Sequence, residues 1–271
     1  MADEKISVVI PCHNEEKTIK ESILSFKEQS LKPFEIIVVD DYSIDKTKYV
    51  LNKIKGIKRI FNEENLGPAA SRNKGAEIAK GEFIVFAEAD GKYSKNYLEK
   101  IIMPLRDKNI GGVLSGKRIV WTNKKNLFVK FQNLKGEVSE TFTILGKRPI
   151  IGAWAFRRLD FHNLGGYNKS YRLGEDVEFV ERIKKKVGKI VYVPGTFMYH
   201  KDPDTFSKYL KDKKKRMEVK SKPKNLPKIP KGVQKKIFLK MLKKSLSEGK
   251  VLLFFSIIYF VIVPKLLTAS R

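Results

Sequence analysis

The sequence predicts an α/β fold with a mostly parallel central sheet flanked by helices, followed by a basic and apolar helical tail. Three observations carry this expectation. Short apolar runs alternate with longer stretches of helical period through the first third of the chain. The runs are apolar on both faces, as strands in a helix-covered parallel sheet are. Charge is uneven, with a lysine-rich stretch ahead of an uncharged one near the end.

The elements follow in order. Ile6–Ile10 reads as a buried strand. Glu15–Gln29 reads as a helix, with Ile19, Ile23 and Phe26 on one face and Asn14 as its N-cap. Glu35–Val39 is the second strand, Asp45–Ile54 the second helix, and Ile57–Phe61 the third strand. Gly67–Ala79 is the third helix and Glu82–Ala87 the fourth strand. Downstream, Ile110–Val120 and Ile150–Arg157 read as strands. Gly174 opens a helix striped by Val177, Val180, Ile183 and Val187, and Lys189–Val193 is a last strand.

In such sheets, ligands bind beyond the carboxyl ends of the strands. Three predicted strand ends are polar: Pro11–Glu15, Asp40–Asp41 and Glu88–Asp90. No G-x-G-x-x-G follows the first strand and no G-x-x-x-x-G-K-[ST] occurs, which disfavours a dinucleotide fingerprint and a P-loop.

The chain has 271 residues, 42% apolar and 32% charged, enough for a core and too apolar for wholesale disorder. A single cysteine, Cys12, excludes a disulfide framework and a cysteine-cluster metal site. The polar start Met1–Lys5 leads straight into a strand, so no secretory signal peptide is expected and the setting is read as cytoplasmic.

Net charge is +26. Residues 201–250 hold 18 Lys and Arg against 5 Asp and Glu, half of that excess. Lysine outnumbers arginine 45 to 11, whereas base reading leans on bidentate arginine. The expected partner is therefore an anionic membrane surface, with no nucleic acid. Residues 211–231, with Pro223, Pro227 and Pro230, read as a linker. Residues 232–247 have the period of a basic amphipathic helix with Val233, Ile237, Met241 and Leu242 on one face. Val251–Val263 is uncharged over 13 residues, short of the roughly 20 that a full span needs. Residues 233–267 are read as an in-plane or re-entrant membrane anchor; a short true span and a helix packed on the protein core are the other readings.

Glu88 and Asp90 sit two apart, so on an extended chain their carboxylates point the same way. Such a pair can hold Mg²⁺ or Mn²⁺ against a diphosphate. Asp40–Asp41 is either a helix-capping turn or a carboxylate that accepts a nucleobase N–H.

Five segments, in order, carry a resemblance. They are Val9–Glu15, Ile37–Thr47, Asn65–Gly75, Gly81–Asp90, and Leu164–Tyr167 with Gly174–Glu178. Together they resemble family 2 glycosyltransferases of the GT-A fold over roughly residues 5–200. The resemblance implies a glycosyltransferase domain over 1–210, with a nucleotide-binding half (1–95) and an acceptor-side half (96–210), then the 211–231 linker and the 232–271 membrane-associated segment. It implies transfer of a sugar from a nucleotide-diphosphate donor, by metal-assisted inverting displacement, to an acceptor that is lipid-linked or at a membrane surface. The catalytic domain would lie on the cytoplasmic side. Pro11, His13, Glu15, Asp41 and Ala89 fall at nucleotide-sugar positions. Glu88 and Asp90 fall at the metal positions, with Mn²⁺ or Mg²⁺ as cofactor. Asp176 matches the base, which takes the acceptor proton as the new bond forms.

The sequence departs from the family pattern at Glu88, which replaces an Asp, at His13, which replaces an aromatic, and at Gly91, which replaces a third acid. His200 is either structural or, as in some relatives, near the metal. Trp154 lines the acceptor pocket or is a core aromatic, and Glu175 is the alternative base. Arg157 and Arg158 reach a phosphate or are a solvated pair. The rival readings are a non-catalytic polybasic membrane adaptor or nucleic-acid binder, and a nucleotidyltransferase, whose basic Gly-rich loop Pro11–Glu15 lacks.

Overall fold

The computed structural model describes residues 4–115, 117–120, 126–144, 153–203, 205–218 and 231–247. They fall into two compact units. One holds 4–115 and 153–199, and the other holds the remaining described residues.

The first unit opens with β1 (Ile6–Cys12), α1 (Ile19–Lys27), β2 (Glu35–Asp40), α2 (Thr47–Asn52), β3 (Lys58–Phe61), α3 (Pro68–Glu77) and β4 (Phe83–Phe86). These are the expected elements in the expected order. Then come β5 (Gly91–Tyr93), α4 (Tyr97–Ile102), a 3-10 turn (Met103–Arg106) and β6 (Ile110–Leu114). Next, β7 (Lys117–Val120) and α5 (Leu127–Ile144) belong to the second unit. The first unit resumes with β8 (Trp154–Arg157), α6 (Arg158–Asn163), α7 (Glu175–Lys186), β9 (Lys189–Tyr192) and β10 (Phe197–His200), a strand whose last residue is the first of the second unit.

Seven strands form one sheet in the order β3-β2-β1-β4-β8-β6-β9. β1 pairs in parallel with β2 and β4, and β2 with β3. β8 runs antiparallel to β4 and β6. The sheet is therefore mostly parallel and buried on both faces. Alternation along β1 sends Ile6, Val8 and Ile10 into one core with Ile19, Ile23 and Phe26 of α1, while Val9 enters the other with Ala69 and Ala76 of α3. The chain runs outward from β1 to β3 and returns beside β1 as β4. The crevice between those two strands is the switch point where such sheets bind ligands.

Three local expectations are corrected. α1 starts at Ile19, and Asn14 is not its cap. Asn14 has φ 58°, and its Oδ1 accepts the Ile44 N–H at 2.8 Å, tying the β1 loop to the β2 loop instead. The run Ile110–Val120 is two strands, broken after Leu114 where the apolar sequence gives way to Ser115–Gly116. The last expected strand before α6 begins at Trp154, and residues 145–152 lie outside the described ones.

The second unit also contains α8 (Phe206–Glu218) and α9 (Lys231–Ser247). Phe128, Phe131 and Leu134 of α5 pack with Tyr209 of α8 and with Ile237 and Met241 of α9. α8 thus runs eight residues into the segment expected to be a linker. Lysine is a good helix former, and the first proline of that segment is Pro223. Ile237 and Met241, placed on a membrane-facing stripe by the sequence, are covered by protein. Among the described residues, no helix is long and apolar enough to cross a membrane. Val251–Val263 lies outside them.

Gly75 shows how tightly α3 lies on the sheet. A Cβ there would stand 2.3 Å from Val9 Cγ1 and 3.2 Å from Val39 Cγ2, both on stiff β-branched side chains. In an exposed helix Gly→Ala gains about 1 kcal/mol. Here overpacking reverses the sign, and Gly75→Ala should destabilise the protein by about 1–3 kcal/mol in denaturant unfolding. A variant as stable as the native protein would contradict the packing.

Candidate active site

The β1 and β2 ends are knitted together by side chain–backbone bonds. The His13 ring bonds the Asp41 carbonyl through Nδ1 at 2.8 Å, and its Nε2 accepts from Asn14 Nδ2 at 3.0 Å. The Asn65 Nδ2 donor also lies 3.2 Å from Nδ1, so that nitrogen sits between the Asp41 carbonyl and an amide N–H. The Glu15 N–H donates to Thr47 Oγ1, and Glu15 Oε2 accepts from Thr18 Oγ1 at 2.5 Å. The buried Asp41 carboxylate accepts three bonds, from Asn62 Nδ2 (2.8 Å) and from the N–H groups of Leu66 (2.9 Å) and Gly67 (2.8 Å). Two of these fix the turn into α3. A carboxylate has about four lone-pair sites, so Asp41 keeps roughly one for a ligand.

β4 ends at Phe86, so Glu88 and Asp90 sit in a turn closed by the Gly91 N–H on the Glu88 carbonyl, not on an extended strand. The Glu88 N–H donates to the buried Tyr93 Oη at 2.7 Å, and its carbonyl accepts from Ser22 Oγ at 3.1 Å. The acid turn is thereby clamped from α1 and β5. Glu88, Asp90 and His200 each offer a ligand atom within 4.8 Å of the others. Two carboxylate oxygens and an imidazole nitrogen are a donor set that suits Mn²⁺, and Mg²⁺ less well because it prefers oxygen.

Beside this turn lies a cavity of about 160 Å³, lined by Glu88, Trp154, Glu175 and Asp176 together with Arg72 and Arg172. Gly174 takes φ +84° and turns the chain into α7, so that Glu175 and Asp176 fall on its first turn. Negative charge is favoured there by the unpaired N–H groups of the helix start. Glu175 forms a short ion pair with Arg72 of α3. Asp176 is 8% exposed. Its Oδ1 accepts the Val177 N–H at 2.9 Å, and Trp154 Nε1 lies 3.4 Å from Oδ2. Burial chiefly, and then the Glu175 charge, push the Asp176 pKa up to about 6, against the opposing pull of Arg72, the Val177 N–H and Trp154.

The profile described as Glycosyl transferase family 2 matches residues 7–205. The chain belongs to glycosyl transferase family 2. It is 37% identical over 217 residues to an uncharacterized glycosyltransferase of Rickettsia felis, covering 76% of this chain and 36% of that one. It is 32% identical over 133 residues to the UDP-Glc:alpha-D-GlcNAc-diphosphoundecaprenol beta-1,3-glucosyltransferase WfgD of Escherichia coli, covering 48% and 52%. The matches thus span about a third to a half of the length of these curated relatives. Among solved structures, the mannosyltransferase PcManGT of Pyrobaculum calidifontis, in complex with GDP-Man and Mn²⁺, superposes with a TM-score of 0.63 at 18% identity, covering 98% of this chain and 74% of that one. The fold is of the GT-A type.

Within this family 2 fold, the structure gathers Glu88, Trp154, Glu175 and Asp176 around one cavity. Pro11, His13, Glu15 and Asp41 lie on the neighbouring β1 and β2 ends, outside that lining. Ala89 buries its methyl group in the core, so only its backbone can meet a ligand. Trp154 stacks on Phe156 at 5.9 Å and also borders the cavity. Arg157 and Arg158 lie elsewhere. Arg157 binds Asp160 and the carbonyls of Leu105 and Ile110, and Arg158 binds the Gly81 carbonyl, at the opposite end of the sheet. Arg72, Arg172 and Tyr93 were given no role by sequence reasoning. Only Arg72 had a signal, its place between Ser71 and Asn73 in the third resembling segment.

A buried acid whose pKa is raised on folding contributes stability that is fully present below its unfolded pKa of about 4, and that contribution is lost as pH rises to the folded value of about 6. Asp176→Asn removes the buried charge. It should raise stability at pH 7.5 by up to about 3 kcal/mol, with the gain shrinking toward pH 4. Melting temperatures of both proteins across that range are the check; a pH-independent difference would contradict the assignment.

Proposed function

We propose that the chain transfers a sugar from a nucleoside-diphosphate donor to a hydroxyl acceptor with inversion, Asp176 serving as the base. The observation that carries this reading is the cavity at the switch-point edge that is lined by both Glu88 and the buried, proton-attracting Asp176. A base is most effective when its pKa lies near the working pH, and a value of about 6 meets that condition. Asp176 takes the hydroxyl proton as the acceptor oxygen bonds to the anomeric carbon. The bond from that carbon to the diphosphate breaks on the far side, and the nucleoside diphosphate leaves with the electron pair.

Asp41, His13, Glu15 and Pro11 are assigned to the nucleotide. Glu88, Asp90 and His200 are assigned to a divalent cation, which would offset the diphosphate charge. Mn²⁺ is favoured by the donor set and by its presence with GDP-Man in the P. calidifontis relative in fold. Trp154 offers an apolar wall for a sugar ring. A lipid-linked acceptor is supported by the diphosphoundecaprenol named for WfgD. Association of the basic C-terminal region with an anionic membrane, with the site on its cytoplasmic side, rests on the lysine excess of residues 201–250. A non-catalytic adaptor would leave the buried carboxylates of the cavity without a role.

The test pairs two variants. Asp176→Asn should bind nucleoside diphosphate as the wild type does and lose about 10²–10⁴-fold in transfer, because an amide cannot take the proton. Asp90→Ala should lose the part of that binding that depends on Mn²⁺ and become indifferent to chelator. Calorimetric titration and transfer assays read both. Near-wild-type turnover by Asp176→Asn would shift the role of base to Glu175. Wild-type affinity that ignores EDTA would remove the cation.

A further inference from the structure

A larger cavity, of about 520 Å³, lies at the other end of the central sheet. Its lining includes Lys5, just before β1, Lys80 and Glu82, just before β4, and Arg158 at the start of α6. β1 separates this edge from the active-site edge by about 20 Å, at roughly 3.3 Å per residue. The volume falls in the range of small-ligand sites, about 300–1,000 Å³.

The charges around it are unbalanced. Arg157 is saturated by Asp160 and by backbone carbonyls, so that pair is structural. Lys5, Lys80, Lys108 and Arg158 also line the cavity, and among the described residues none of the four makes an ion pair. Glu82 is the one acid that faces them without a cationic partner. Arg158 is pre-aimed, because its Nε donates to the Gly81 carbonyl and its backbone N–H to the Glu82 carbonyl. Its two terminal nitrogens have no partner among the described residues and form a planar fork, the geometry that matches phosphate. Leu159 and Val187 give the rim apolar surface.

We propose that this cavity is a second anion site, separate from the donor site, for a ligand carrying two or more phosphate groups close together. One acid against four cations leaves charge for more than one monoanion. Phosphates on a soluble molecule or on a lipid headgroup supply the same chemistry.

Tripolyphosphate, titrated calorimetrically into the full chain in EDTA, is the probe, because chelation removes the metal-assisted donor site from the reading. Wild type should bind saturably at one site. Lys80→Gln with Lys108→Gln should weaken binding about tenfold or more, since each tenfold is 1.4 kcal/mol. Lys236→Gln with Lys240→Gln, on the exposed face of α9, removes the same net charge and should change it less than about twofold. Equal weakening by both pairs, or no saturable binding, would overturn the site. All four lysines are exposed, and matching melting temperatures will show that the variants fold. Cardiolipin vesicles form the second arm. Because residues 201–250 are themselves assigned to an anionic membrane, vesicle binding that falls further in the cavity variant than in the α9 variant, in step with tripolyphosphate, assigns the ligand to a lipid headgroup; loss of tripolyphosphate binding with no greater loss of vesicle binding than in the α9 variant assigns it to a soluble polyanion.

Discussion

Glu175 and Asp176 are consecutive carboxylates on one buried helix turn, and the Arg72 guanidinium pairs with Glu175. Two negative charges taken out of water beside one positive charge cannot both be held cheaply. Glu175 makes the ion pair with Arg72. Asp176 has only the Val177 N–H and a long contact to Trp154, so it is the carboxylate that gains proton affinity. The division of labour between the two acids follows from which one Arg72 reaches. The chemistry of the site depends on that unequal sharing.

The fold exists to hold this arrangement still. α3 carries Arg72 and is pressed onto β1 through Gly75, close to Val9. α7 carries the two acids and is pinned by Phe179, which packs on Phe156 of β8 and on Phe161 and Tyr167. β8 in turn places Trp154 beside Asp176. Across the cavity, Tyr93 and Ser22 clamp the backbone of Glu88. Each reactive side chain therefore hangs from an element whose other face is locked in one of the two cores.

The first half of the fold was legible because β1, β2 and β4 are apolar on both faces and their helices alternate with them in regular order. What stayed hidden depends on contacts distant in sequence. β8 lies antiparallel between β4 and β6, and no local pattern announces that pairing. β5, α4, α5 and β10 are short or mixed in composition and gave no clear period. In the site, Asp176 and Glu88 could be placed through their motifs. The engagement of Asp41 by Asn62, Leu66 and Gly67 could not, because it arises from a turn some twenty-five residues away. The same limit left Arg157 and Arg158 open between a phosphate contact and a solvated pair, when the antiparallel direction of β8 carries them to the far edge.

The most direct measurement is the titration of the Asp176 carboxyl carbon by NMR, assigned by comparison with Asp176→Asn. The account predicts a midpoint near 6. It also predicts that Glu175→Gln lowers that midpoint, because the neighbouring negative charge is gone while the burial remains. A midpoint at the ordinary aspartate value of about 4 in the wild type would contradict a buried, proton-attracting base and with it the proposed mechanism.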